Sequence, residues 1–327
     1  MSAIGTSFIK PAVPVVFVIA AMLSSNYSRG YLLKPSEKIR KLVSAHIPGA
    51  VIKDAESMIG GVSADAMLID IQLPGDGTRK LVLREHGENH FGHEAELEFR
   101  LLECLYSLGV KVPKPLGFNS NEGTGQHPYV LLEYIDGTTD MPSSALESCI
   151  TAAADKLISI HDLPTDSLPE LPQRFDPLPE LLDFLPDEAE WDELRSSLSR
   201  MNSTAFTGKS VLLHGDYWPS NIIWEDGTIV GVIDWEDSAI GDPLSDVACA
   251  CLELRYIHGN SGAQLFLDVY SVRCEVDPLR FALWQANVAA AGNRNMGEWG
   301  LEPSRVQAMR KVALESIREA GRVIVAH

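Results

Sequence analysis

At 327 residues, 45% hydrophobic and 22% charged, the chain has an ordinary soluble globular composition and enough length for two lobes sharing a cleft. Its formal net charge of −18, from 45 acidic against 27 basic residues, creates a field that repels nucleic acid and suits a neutral or cationic partner. The five scattered cysteines form no disulfide framework, and Cys249-Ala-Cys251 lacks the second pair that a zinc site requires.

From the amino terminus, Phe8 to Leu23 is apolar except for Lys10 and is broken by Pro11 and Pro14. It is too short and too interrupted to span a bilayer comfortably, so residues 1–33 are taken as an apolar extension, with a signal or anchor as the alternative. Lys34 to Ile47 carries a helical pattern opened by Pro35-Ser36 and stopped by Pro48-Gly49. Val51 to Ser57, Ala66 to Gln72 and Lys80 to Arg84 alternate as strands, separated by Gly60-Gly61 and by the Pro74 to Gly77 turn signal. Glu94 to Leu108 has a leucine stripe at helical spacing and is closed by Gly109. Val112-Pro113 and Tyr129 to Tyr134 suggest two further strands, and polar Gly137 to Pro142 marks the boundary between lobes 34–136 and 137–327.

The second lobe is mainly helical. A helix is expected over Ser143 to His161, a Pro-rich loop over Leu163 to Pro186 and a charged helix over Glu188 to Met201. Four more helices are expected near Leu244–Ile257, Ala263–Cys274, Leu279–Ala291 and Ser304–Val325. Sheet first and helices after is an α+β order.

Between them lies Val211 to Ala248, the stretch that carries chemistry. A short strand delivers His214-Gly215-Asp216 into a loop, and Asn221 follows five residues after the aspartate. Ile222–Trp224 and Ile229–Ile233 can pair across Glu225 to Thr228, which would bring Asn221 beside Asp234. Phosphoryl transfer needs such a set: a carboxylate to orient an attacking hydroxyl and take its proton, and oxygen ligands for Mg2+ on the phosphates.

HGD-x4-N followed by IDWE resembles the aminoglycoside phosphotransferase (phosphotransferase enzyme) family, with its bilobal protein-kinase-like fold. That resemblance implies an ATP- and Mg2+-dependent kinase with Asp216 as catalytic base and Asn221 and Asp234 as metal ligands. It implies that His214 shapes the loop and that Asp246 is structural at a helix start. In the first lobe it implies that Gly60, Gly61 and Ser63 cover the triphosphate. Arg84, standing where protein kinases have lysine, then holds phosphates and pairs with Glu94. The backbone from Glu133 to Ile135 receives adenine. The implied partner is a small hydroxyl compound, neutral or cationic, and the implied compartment is the cytoplasm, where ATP is available. A monomer or homodimer is expected.

The remaining conspicuous residues have plainer roles. His161 reads as a packed or capping residue, Trp218, Trp224 and Trp235 as core, and Glu236 and Asp237 as caps of the next turn more than substrate contacts. A non-catalytic nucleotide-binding regulator is the alternative within the same fold. A metal-dependent hydrolase would need additional histidine ligands, and no suitable HxH or HxxxH pair is expected.

Overall fold

The computed structural model describes residues 29–32, 36–58, 64–75, 77–87, 90, 92–120, 127–201 and 204–327. The Phe8 to Leu23 segment and the predicted phosphate-covering residues Gly60, Gly61 and Ser63 lie outside them.

The first lobe is a six-stranded sheet with two helices. Its elements are β1 (Arg29–Leu32), α1 (Glu37–His46), β2 (Val51–Met58), β3 (Ala64–Gln72), β4 (Thr78–His86), α2 (Ala95–Ser107), β5 (Pro115–Asn119) and β6 (Tyr129–Glu133). The sheet order is β1-β2-β3-β4-β6-β5, and every neighbouring pair is antiparallel. β1 thus recruits part of the amino-terminal extension as an edge strand. α1 begins where expected because the Ser36 hydroxyl accepts the Ile39 amide.

Strand parity decides what each residue faces. Leu81, Leu83, Tyr129 and Leu131 join Ile39, Leu42 and Val43 of α1 in one core. Val130 and Leu132 belong to the other core, with Leu101, Leu102 and Leu105 of α2. Arg84 shares the parity of Val82, which packs on that second core, so it projects on the α2 side, toward the second lobe.

Three expectations shift. The strand predicted at Val112-Pro113 begins instead at Pro115. The Pro-rich 163–186 segment contains β7 (Gln173–Arg174) and a short helix α4 (Leu178–Phe184) that starts at proline. The charged helix is shorter than expected, a 3-10 turn followed by α5 (Asp192–Ser199).

The second lobe opens with α3 (Leu146–His161) and later carries β8 (Val211–Leu213), β9 (Ile222–Glu225), β10 (Thr228–Val232), β11 (Ala239–Gly241), α6 (Leu244–Ser271), α7 (Pro278–Asn295) and α8 (Pro303–Ala326). β9 and β10 form the predicted hairpin, with a turn narrowed to Asp226-Gly227. Both turn residues have positive φ, 49° and 75°, as a type I′ turn requires. β11, which sequence reasoning missed, pairs with β8 and β7 and carries the chain from the hairpin to α6. α6 breaks at Gly259, φ 73°, which separates the two helices predicted there. Thr138, in the predicted boundary segment, bridges Trp224 of β9 and ties the connection to the hairpin. Among the described residues no helix is long and apolar enough to cross a membrane.

Candidate active site

β8 is fully buried and ends at His214, so Gly215 and Asp216 enter a tight loop. Gly215 has φ 90°, and a Cβ there would lie 2.0 Å from the Asp237 carbonyl oxygen, so the position admits no side chain. The loop is clamped from α6: the amides of His214 and Gly215 donate to Asp246 Oδ2 and Oδ1 at 2.7 and 2.9 Å. His161 Nε2 lies 3.3 Å from the same carboxylate, and its Nδ1 is 2.8 Å from the Tyr270 hydroxyl. His161 is packed, as expected, but its partner is the residue that shapes the loop. His214 itself is neutral, its pKa lowered by burial, and its Nε2 donates to the Ile233 carbonyl at 2.9 Å.

The hairpin brings the two ends of the motif together. The Ile233 amide donates to the Asn221 carbonyl at 2.9 Å, which sets Asp234 beside Asn221. Asn221 Nδ2 donates to the Asp216 carbonyl at 2.8 Å and to its Oδ2 at 3.2 Å. With the amide nitrogen so committed, Oδ1 is the end of the side chain left for a cation. Asp234 has φ 67°, which turns its partly exposed carboxylate toward the first lobe. Burial, then Asp237, Asp234 and Glu253, push the Asp216 carboxyl well above the usual carboxylate range, giving it a strong hold on a proton.

Across the cleft, Arg84 meets three carboxylates: Nη1 donates to Glu98 at 2.7 Å, and Nη2 to Asp234 at 2.8 Å and Glu236 at 2.7 Å. Burial opposes its charge, but the three acids outweigh that and hold it protonated. The helix partner of Arg84 is therefore Glu98 and not the predicted Glu94. The helix starts at Ala95, so Glu94 stands before it and is exposed, while Glu98 lies one turn on, fully buried on the face of Leu101, Leu102 and Leu105. Arg84, helped by His86, outweighs the burial of Glu98 and holds its carboxyl down to about 2. Glu98→Gln is expected to lower stability in chemical denaturation by about 2 kcal/mol, and Glu94→Gln to stay within about 0.5 kcal/mol of the parent.

Glu236 does more than cap a turn. Its carboxylate is buried on Arg84 and its carbonyl accepts the His93 amide at 2.9 Å. His86 and His90 do have HxxxH spacing, contrary to expectation, and their rings stack at 3.8 Å. They attend Glu98 and Glu236, and among the described residues no three His, Cys, Asp or Glu side chains converge on a metal position. Asp237 sits behind the loop, its carboxyl pushed up to about 6 by burial against the opposing pull of Arg174. Trp218, Trp224 and Trp235 are buried core residues, as expected. The Glu133 amide donates to the Lys114 carbonyl at 2.8 Å, and Ile135 packs on Gly231 of β10.

Comparison with known proteins agrees with this geometry. The model of the phosphotransferase enzyme family matches residues 63–284. Acyl-CoA dehydrogenase family member 10 of Mus musculus is 30% identical over 53% of this chain and 18% of its own length. The member 11 relative of Rattus norvegicus is 24% identical over 62% of this chain, which spans 31% of that protein. Aminoglycoside 3′-phosphotransferase of Streptomyces fradiae is 26% identical over 56% of this chain and 75% of its own length. Two solved structures share the fold. The AMP-PNP and hygromycin B complex of APH(4)-Ia has TM-score 0.61 and 15% identity, covering 86% of this chain and 98% of that one. The GDP and kanamycin complex of APH(2″)-IIIa has TM-score 0.59 and 18% identity, covering 88% and 99%. A bilobal fold of this kind, beneath a family match that runs from the first lobe through the Asp216 loop into α7, means that the chain belongs to the phosphotransferase enzyme family.

Proposed function

We propose that the protein transfers the γ-phosphoryl group of ATP to a hydroxyl of a small molecule, with Asp216 as base. The observation that carries this reading is the convergence of Asp216, Asn221 and Asp234, joined by the 2.8 Å Asn221–Asp216 and 2.9 Å Ile233–Asn221 bonds.

The donor set fits magnesium. An amide oxygen and a carboxylate are hard oxygen ligands, and Mg2+ takes one or two protein carboxylates and completes its shell with phosphates and water. Asn221 and Asp234 would hold it, and when bound it neutralises charge developing on the phosphates. Arg84, now on Asp234, would supply positive charge to the phosphate oxygens.

Asp216 accepts the proton of the acceptor hydroxyl as its oxygen bonds to the γ-phosphorus. The bond from that phosphorus to the β-bridging oxygen breaks, and ADP leaves with the bonding pair. The buried, carboxylate-rich setting of Asp216 makes it the stronger base. Fixed geometry supplies the rest, because the loop is tied at His214, Gly215 and Asn221 before any substrate arrives.

The test is consumption of ATP or GTP, with and without Mg2+, over aminoglycosides, amino alcohols, sugars and hydroxyacyl thioesters, since the relatives' names point to both antibiotic and acyl chemistry. Turnover that stops on chelation with EDTA is expected. Binding of nucleotide without turnover on any acceptor would favour the regulatory alternative.

A further inference from the structure

The three acids that share Arg84 differ in their access to solvent. The side chains of Glu98 and Glu236 are buried, at 0% and 3% exposure, whereas that of Asp234 is 22% exposed. Nη1 serves Glu98, while Nη2 carries two hydrogens and lies 2.8 Å from Asp234 Oδ1 and 2.7 Å from Glu236 Oε2, so each acid takes one. Asp234 is also the carboxylate assigned to Mg2+, and an oxygen engaged by a guanidinium is not free for a cation. Glu236 is seated independently of Arg84. Its carbonyl accepts the His93 amide at 2.9 Å, and its stem packs so closely on Gly92 that a Cβ there would lie 2.6 Å from Glu236 Cβ. Burial, then Asp234, push its carboxyl up against the pull of Arg84, and in either protonation state it offers an acceptor oxygen.

We propose that Glu236 is a positioning residue for Arg84, which keeps the guanidinium in the site when Asp234 exchanges Arg84 for Mg2+. The inference rests on the phosphotransferase reading. On that exchange Nη2 loses one acceptor and retains the other, and the Glu98 bond is untouched. The freed hydrogen is left for a phosphate oxygen. Without an acceptor at position 236, Asp234 is the sole partner of Nη2. The guanidinium then follows that carboxylate, and pulling it away strands a buried donor. A cation must therefore compete with a tighter ion pair for the same oxygen. Glu236 acts through Arg84, with no bond of its own to metal or nucleotide.

The test is the Mg2+ concentration that gives half-maximal AMP-PNP binding by the full chain. Glu236→Met keeps an unbranched stem beside Gly92 but offers no acceptor oxygen, and is expected to raise that midpoint about tenfold or more. Glu236→Gln keeps an oxygen and is expected to stay within about threefold of the parent. A crystal structure of the wild type with Mg2+ and AMP-PNP needs no variant: Arg84 is expected on Glu98 and Glu236 and off Asp234. The proposal is overturned if Glu236→Met leaves the midpoint unchanged or if Glu236→Gln loses as much as Glu236→Met. It is overturned equally if Glu236 in that complex lies on the metal or apart from Arg84. Absence of AMP-PNP binding by the wild type at every Mg2+ concentration is a different failure, that of the phosphotransferase reading.

Discussion

Asp216→Asn is expected to lower kcat by about 10²–10⁴-fold, the usual contribution of a positioned general base, while leaving nucleotide affinity nearly unchanged. The substitution keeps the size of the side chain and an acceptor for Asn221 Nδ2, so the loop geometry survives. It also removes a charge that burial and four neighbouring carboxylates, Asp237, Asp234, Glu253 and Glu236, oppose. The variant should therefore unfold at a higher temperature than the parent while turning over far more slowly, the signature of a residue held in an unfavourable state for function. Steady-state kinetics and thermal unfolding on the same preparations check both parts. A rate within tenfold of wild type would remove Asp216 from the base role.

Asp246→Ala should have the largest effect on stability. The carboxylate accepts two buried backbone amides and meets His161, and its loss strands all three, at a cost of about 3–5 kcal/mol. Burial alone would raise this carboxyl, but His161, His214 and the Gly215 amide outweigh it and hold it below its ordinary value of 3.8. A depressed carboxyl contributes stability that is present above the unfolded value and lost as pH falls through and below it. The wild type should thus lose this contribution below about pH 3.8, whereas Asp246→Ala lacks that part of the acid limb. Denaturant unfolding across pH measures it. Parallel acid limbs in the two proteins would show that the clamp carries no stability.

Much of this was legible in the sequence because it is local. The Asp226-Gly227 turn dictates a tight hairpin, and the hairpin alone brings Asn221 to Asp234, whatever the rest of the chain does. The α1, α2 and α6–α8 helices announce themselves by period, α1 also by Ser36 and α2 by Gly109. Failures came where a partner is distant. β11 is three residues long and exists through pairing with β8 and β7, so no internal pattern marks it. α4 hides in a Pro-rich segment because its seven residues are too few to show a period.

Sequence by itself determined the order of two lobes, the residue types that phosphoryl transfer requires and their spacing along one loop. Only the tertiary structure decided which carboxylates those residues meet. Glu98 displaces Glu94 as the partner of Arg84 because the phase of a helix, set by where its first turn packs, selects the face that turns inward. Asp246, His161 and Glu253 acquire their places beside the loop from α3 and α6, which are remote along the chain and pressed against it in space. Burial and contacts then set their chemistry: hydrogen bonds from the loop and His161 hold the Asp246 carboxyl down against its burial, while withdrawal from water pushes that of Asp216 up.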